Sequence, residues 1–275
     1  MTEPMVELED IHLTFGAGTR SEVRALDGVS LVVNQGDFVV VLGTNGSGKS
    51  TLLTAIAGAA RIARGRILLG GRDVTRWPAH RRAGMVGRVF QNPYQGSASD
   101  LSIAENLALA AQRGGARNRL ARALTTARKA ALRAGVQQLG LGLEHRIDVP
   151  MGALSGGQRQ AVTLLMATMG APSVLLLDEH TAALDPRSEE QVRQLTLGLV
   201  SRHKLTAIMV THAMEHAVSL GNRVILMHRG RIVEQYEGTF KRRLREQDLH
   251  DRFTEIRNTE LLDESAADLL RRSYV

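Results

Sequence analysis

The run Gly43-Thr44-Asn45-Gly46-Ser47-Gly48-Lys49-Ser50 constrains the fold of this chain more than any other stretch. It follows an apolar run at residues 38–42 and precedes a segment of helical length and composition at 49–58. A glycine-rich turn in that setting lets backbone N–H groups close on an anion at the positive end of a helix. Gly43, Asn45, Gly46, Ser47 and Gly48 then form a phosphate cradle. Lys49 reaches the terminal phosphates, and Ser50, with Thr51 beside it, offers a hydroxyl to magnesium. The competing reading is a glycine-rich turn with a surface lysine, which leaves the strand before it and the helix after it unexplained.

The rest of the chain reads as layers around that unit. Residues 174–177, 206–210 and 224–227 are short continuous apolar runs, as expected of strands covered on both faces, and they imply a central, mostly parallel sheet. Val6, Leu8 and Ile11, then Val29, Leu31 and Val33, alternate with polar residues and read as N-terminal antiparallel strands. Helices are expected at 156–169, 186–202 and 213–219, completing an α/β phosphate-loop NTPase core. Residues 93–152 are rich in Ala, Leu and Arg and lack a convincing strand, so they read as an inserted helical subdomain with helices at 102–113 and 118–139. The expected division is therefore a core at 1–92 and 153–239, the insertion at 93–152, and a C-terminal helical tail at 240–275 carrying Leu244, Leu249, Phe253 and Ile256. No internal repeat is visible, so two nucleotide sites would require two chains.

Charge and composition narrow the partners. The net charge of +7 and pI near 10.4 suit nucleic acid, an anionic membrane or a polyphosphate. Aromatic residues make up only 3%, which supports base-stacking platforms poorly, and no nucleic acid is expected. The absence of cysteine excludes disulfide frameworks and thiolate metal sites. The longest apolar-looking stretch, 161–177, is broken by Thr163, Thr168 and the residues 170–173, so it does not read as a membrane span. The opening MTEPMVELED lacks the basic and apolar regions of a signal peptide.

Val174-Leu175-Leu176-Leu177-Asp178-Glu179 brings two carboxylates to the end of a buried strand, where ligands gather in open α/β sheets. Asp178 suits magnesium. Glu179, one residue on, can face a water that attacks the terminal phosphate. A solvated strand end is the plain alternative.

Leu154-Ser155-Gly156-Gly157-Gln158, 23 residues before Asp178, resembles the signature sequence of the ABC ATPases. Ser155 alone would read as an ordinary helix cap. The resemblance covers about residues 5–238 and implies the ABC ATPase fold. It also implies that Ser155, Gly156, Gly157 and Gln158 bind the γ-phosphate held by the loop of a second subunit. By the same resemblance Gln91 corresponds to the glutamine that contacts magnesium and the attacking water, and His212 to the switch histidine. Asp185, in Ala183-Leu184-Asp185-Pro186, corresponds to a contact across the dimer, against the alternative of a plain helix start. Phe15 corresponds to the aromatic that stacks on adenine, against the alternative of a packed core side chain. His180 stands where many relatives have proline or another residue and is read as a structural variation with no catalytic role, and Trp77 as packing.

The resemblance further implies Mg-ATP sandwiched between two copies, or between this chain and a homologous ATPase subunit. Hydrolysis there drives a separate integral membrane permease, which residues 92–106 are expected to receive, at the cytoplasmic face of the inner membrane. The wording around Gln91 and at 178–186 resembles bacterial multi-subunit importers, which add an extracytoplasmic solute-binding protein, with amino-acid-like cargo. The alternatives are an exporter or lipoprotein-extraction ATPase, or a soluble ABC protein acting on ribosomes or nucleic acid. Against the DNA-repair branch, the roughly 105 residues between Lys49 and Ser155 hold no sustained heptads. A non-hydrolysing subunit would not need Lys49, Asp178, Glu179 and His212 together.

Overall fold

A computed structural model describes residues 3–113, 124–256 and 258. The first strands, β1 (Pro4–Phe15) and β2 (Val23–Asn34), pair antiparallel with Val6 opposite Val33 and Leu8 opposite Leu31. Leu8 and Ile11 are three residues apart, which would put them on opposite faces of a regular strand. A bulge between them, with Asp10 at φ 49°, restores the phase so that Ile11 and Leu13 return to the core.

The chain continues through β3 (Phe38–Gly43), α1 (Lys49–Ile56), β4 (Arg64–Leu69), β5 (Arg72–Asp73), α2 (Ala79–Arg82) and β6 (Val86–Val89). Next come α3 (Ile103–Ala110), α4 (Thr126–Gln137), α5 (Gly156–Thr168), β7 (Val174–Asp178) and α6 (Pro186–His203). The final elements are β8 (Thr206–Thr211), α7 (Met214–Ser219), β9 (Arg223–His228), β10 (Arg231–Glu237), α8 (Gly238–Arg243) and a helix α9 at 246–256.

Among the described residues the strands form two sheets, ordered β2-β1-β4-β5 and β10-β9-β3-β8-β7-β6. The first is antiparallel. In the second, β9, β3, β8, β7 and β6 run parallel and β10 closes one edge antiparallel. The continuous apolar strands are explained by burial on both faces. Val39 and Val41 face one apolar cluster with α1 and the N-terminal sheet, whereas Val40 and Leu42 face another with α5 and α6. A third cluster joins Ile103 and Leu107 of α3, Leu132 and Val136 of α4, and Val162 and Met166 of α5. Trp77 packs against the first cluster.

Helix ends follow local chemistry. Ser102 and Glu105 form a capping box at the start of α3, and Thr125 caps α4. The regular helix expected over 102–113 stops at Ala110, and of the expected 118–139 helix residues 118–123 lie outside the described residues. Buried Arg82 donates to the carbonyl oxygens of Ala55 and Ile56 at 2.9 and 2.7 Å, closing the C-terminal end of α1.

The tail departs from an appendage. Leu244, Leu249 and Phe253 belong to the second cluster, so α9 packs onto the parallel sheet's side of the molecule. Residues 257 and 259–275 lie outside the described residues. No described helix is long and apolar enough to cross a membrane.

Gly87 on β6 is a tight contact. A Cβ there would sit 2.2 Å from the Ala167 carbonyl oxygen of α5, and backbone cannot step aside cheaply. Gly87→Ala should therefore cost about 1–3 kcal/mol of stability by overpacking, read as a lower urea midpoint at unchanged m-value. A midpoint equal to wild type would contradict the close approach.

Candidate active site

Strand β3 ends in the phosphate loop, and α1 continues from it. Gly48 sits at φ 97°, and a Cβ on it would lie 2.5 Å from the Ala25 carbonyl oxygen, so both the turn and its neighbour demand glycine. Lys49 is only 6% exposed, and its Nζ donates to the carbonyl oxygens of Gly43 at 2.7 Å and Thr44 at 3.0 Å. Burial lowers its pKa, opposed by the carboxylates of Glu179 and Asp178. The buried Ser47 hydroxyl has no hydrogen-bond partner.

Asp178, the last residue of β7, is held from two sides. Ser50 Oγ donates to Oδ1 at 2.8 Å, and Arg88 Nη2 donates to Oδ2 at 3.2 Å. The Arg88 guanidinium also donates to Thr54 Oγ1 at 3.2 Å and lies 4.6 Å from the centre of the Phe90 ring. The basic residue in an otherwise apolar β6 was the sequence's signal for this contact, and sequence reasoning missed it.

Glu179 adopts a left-handed backbone, φ 41°, a conformation costing about 1–3 kcal/mol for a residue with a Cβ. Its amide donates to the Val210 carbonyl at 3.0 Å. One carboxylate oxygen, Oε2, then accepts from Gln91 Nε2 at 3.2 Å and lies 3.3 Å from His212 Nδ1. Three side chains from the ends of β6, β7 and β8 thus meet at one oxygen, beside the phosphate loop. A pocket of about 520 Å³ opens there, lined by Gly43, Thr44, Asn45, Gln91, Glu179 and His212.

The other wall of that pocket comes from segments that sequence reasoning left out of the site. Met214 contributes from α7, and His250, Phe253 and Thr254 from α9. Nothing in the local pattern of 246–256 marks it as lining a site, because its role comes from docking onto the core through Leu249 and Phe253.

Ser155, Gly156, Gly157 and Gln158 do not line this pocket. They form the first turn of α5, where Ser155 and Gln158 make a reciprocal capping box with both bonds at 3.3 Å. A Cβ on Gly157 would lie 2.7 Å from the Ser188 side chain, so α5 and α6 touch at their N-terminal ends. Asp185 caps α6, its Oδ1 accepting from the Ser188 amide at 3.1 Å, and hydrogen bonds from Ser188 hold its carboxyl below the usual range. Within the chain Asp185 is a helix start. Phe15, at the end of β1, is 48% exposed, which excludes a packed core role.

The donor set fits a triphosphate with a hard divalent cation. An orphaned hydroxyl and a lysine satisfied only by loop carbonyls suit incoming phosphate oxygens. No group of three or more His, Cys, Asp or Glu able to hold a metal occurs among the described residues. Ser50 and Asp178 together instead suit magnesium, which takes one or two protein carboxylates and fills its shell with phosphate and water.

Comparison with known proteins agrees with the geometry. Residues 26–182 match the family described as ABC transporter. The chain is 34% identical over 249 residues to the tyrosine transport ATP-binding protein of Clostridioides difficile, covering 90% of this chain and 98% of that protein. It is 36% identical to the sulfate/thiosulfate import ATP-binding protein CysA of Nephroselmis olivacea, over 82% of this chain and 60% of that protein. It is 35% identical to the macrolide export ATP-binding/permease protein MacB of Chlorobium luteolum, over 84% of this chain but 33% of that protein. Among solved structures, the ATP-binding cassette MJ0796, in a dimeric post-hydrolysis state bound to ADP and Pi, superposes with a TM-score of 0.72. Identity there is 27%, over 85% of this chain and 98% of that one.

Proposed function

The chain belongs to the ABC transporter family and is an ATP-binding ATPase, and from that premise we propose that it drives import of an amino-acid-like solute through a separate membrane permease. The observation that carries the catalytic part is the convergence of Gln91 and His212 on the Glu179 carboxylate beside the phosphate loop.

In this reading the cradle of Gly43, Asn45, Gly46, Ser47 and Gly48 wraps the β- and γ-phosphates of ATP with its amides, and Lys49 turns its ammonium from the loop carbonyls onto phosphate oxygens. Thr51 adds a hydroxyl in the first turn of α1. Phe15 stacks on the adenine, for which its exposure suits it. Ser50, Asp178 and Gln91 hold magnesium, which when bound neutralises charge on the phosphates. Arg88 keeps the Asp178 carboxylate aimed at Ser50. Glu179 orients the attacking water and takes its proton, while Gln91 and His212 fix the carboxylate. His212 has its remaining ring nitrogen to offer the γ-phosphate.

The signature lies outside the chain's own phosphate pocket, which supports a partner role. Ser155, Gly156, Gly157 and Gln158, at the positive end of α5, close on ATP held by a second copy or a homologous subunit, with Asp185 at the same edge. The dimeric state of MJ0796 supports this arrangement. In this reading the permease docks on the segment 92–106, at the start of the inserted subdomain 93–152. There Tyr94 is 61% exposed, with the Arg159 guanidinium 4.1 Å from its ring. Such a complex sits peripherally on the cytoplasmic face of the membrane and receives cargo from an extracytoplasmic binding protein.

An amino-acid-like cargo is favoured by the full-length match to a tyrosine transport protein, and import by the import name of CysA. Export is the second reading, supported by the match to MacB. Purification from native membranes in mild detergent, with mass spectrometry of what co-purifies, tests both. A permease with a solute-binding protein, and ATPase activity stimulated by amino acids presented on that protein, is the expected result. A permease alone would favour export, and ribosomes or nucleic acid without a membrane protein would overturn transport.

A further inference from the structure

We propose that His180 is a positioning residue: its ring, tied to Thr196 of α6, holds Glu179 in the turn that presents its carboxylate to Gln91 and His212. The proposal rests on the reading of Glu179 as the group that activates water.

Glu179 and His180 are consecutive, but their side chains part. Glu179 faces the phosphate pocket, whereas His180 is 1% exposed and its Nε2 lies 2.9 Å from Thr196 Oγ1. Thr196 Oγ1 donates to the Val192 carbonyl at 2.8 Å, so toward the histidine it accepts. The ring proton is therefore on Nε2, and Nδ1 is a bare acceptor. That Nδ1 is buried and has no hydrogen-bond partner. A buried ring nitrogen with no acceptor beside it is left unprotonated, so the tautomer is set by the threonine.

A side chain selected for packing alone would not carry an orphaned nitrogen there, since an aromatic hydrocarbon ring fills similar space without desolvating a polar atom. The position keeps the histidine for its single directed bond. That bond reaches from the turn after β7 to the middle of α6. It acts beside two backbone bonds, from Glu179 N to Val210 O and from Ala182 N to Glu179 O, both 3.0 Å. Together they bracket the left-handed residue on both sides. A second tie follows at once: Thr181 Oγ1 donates to Glu189 Oε1 at 3.2 Å, and the same oxygen lies 3.6 Å from His216 Nε2 on α7, the helix that follows His212. Without the His180 tie, the turn can relax from its strained backbone and take the carboxylate off its two partners.

The test measures ATP turnover and thermal stability in the full chain. His180→Phe keeps ring volume and removes the donor. It is expected to be at least as stable as wild type yet to lose about tenfold in kcat, roughly 1.4 kcal/mol of barrier, with the KM for ATP unchanged. Thr196→Val removes the acceptor at constant shape and should show the same loss, and the double variant should be no slower than either single one. His180→Gln places an amide donor where Nε2 was and should restore kcat to within about threefold of wild type, on the scale of a conserved hydrogen bond. Wild-type kcat in His180→Phe, or a His180→Gln enzyme as slow as His180→Phe, would overturn the proposal. Glu179→Gln in the same series separates the two readings. Loss of turnover there alongside wild-type kcat in His180→Phe removes only the positioning role, whereas full turnover in Glu179→Gln removes both.

Discussion

Glu179→Gln should bind ATP with wild-type affinity and hydrolyse it about 10²- to 10⁴-fold more slowly, the range that a positioned general base contributes. The substitution is close to isosteric. An amide oxygen can still accept from Gln91, and neither Lys49 nor the Ser50–Asp178 pair is touched. On the proposed role of Glu179, what disappears is the acceptor for the water's proton. The variant should therefore accumulate with ATP bound, and if the signature of one copy closes on the nucleotide of another, it should elute as a dimer in the presence of ATP. Size-exclusion chromatography with a phosphate-release assay reads both outcomes. Turnover within about threefold of wild type, far below the loss of a general base, would remove Glu179 from the chemistry.

Lys49→Ala should act one step earlier, on binding. The ammonium rests on two carbonyl oxygens of its own loop, in a site buried enough to depress its pKa and flanked by two carboxylates that favour its charge. In the proposed site, phosphate oxygens replace those carbonyls as stronger, charged acceptors. Losing a hydrogen bond to a charged group costs about 1.5–3 kcal/mol, which is roughly 10- to 150-fold in the dissociation constant. Calorimetric titration with a non-hydrolysable ATP analogue reads this directly, and an unchanged Kd would count against the loop as the phosphate site. The two variants thus separate: one holds ATP without turning it over, the other fails to hold it.

Much of this site was legible because its parts are local. The phosphate loop, the apolar run before it and the acids ending β7 each lie within a few residues, so spacing alone conveys the geometry. The parallel sheet was legible for a related reason, since strands buried on both faces lose the polar alternation that would otherwise mimic other elements. Partly exposed strands were harder. β10 carries Arg231, Glu234 and Glu237 and exposes alternate residues, and β4 opens with Arg64-Gly65-Arg66, so neither resembles the buried runs. Contacts assembled from distant parts of the chain left no pattern to read. Arg88 meets Asp178 across 90 positions, and α9 reaches the pocket only because Leu249 and Phe253 find the second cluster. His180 read as a mere variation because its partner Thr196 lies four helical turns' worth of chain away, in a helix whose face the sequence does not announce.

The missing side chain at Gly157 has a mechanical consequence. With Ser188 pressed where a Cβ would be, the starts of α5 and α6 are in direct contact, so a shift of one N-terminal end presses on the other, and on the Ser155 and Asp185 caps together. In the proposed dimer, a second copy meeting this edge would feel the two caps shift together rather than one at a time.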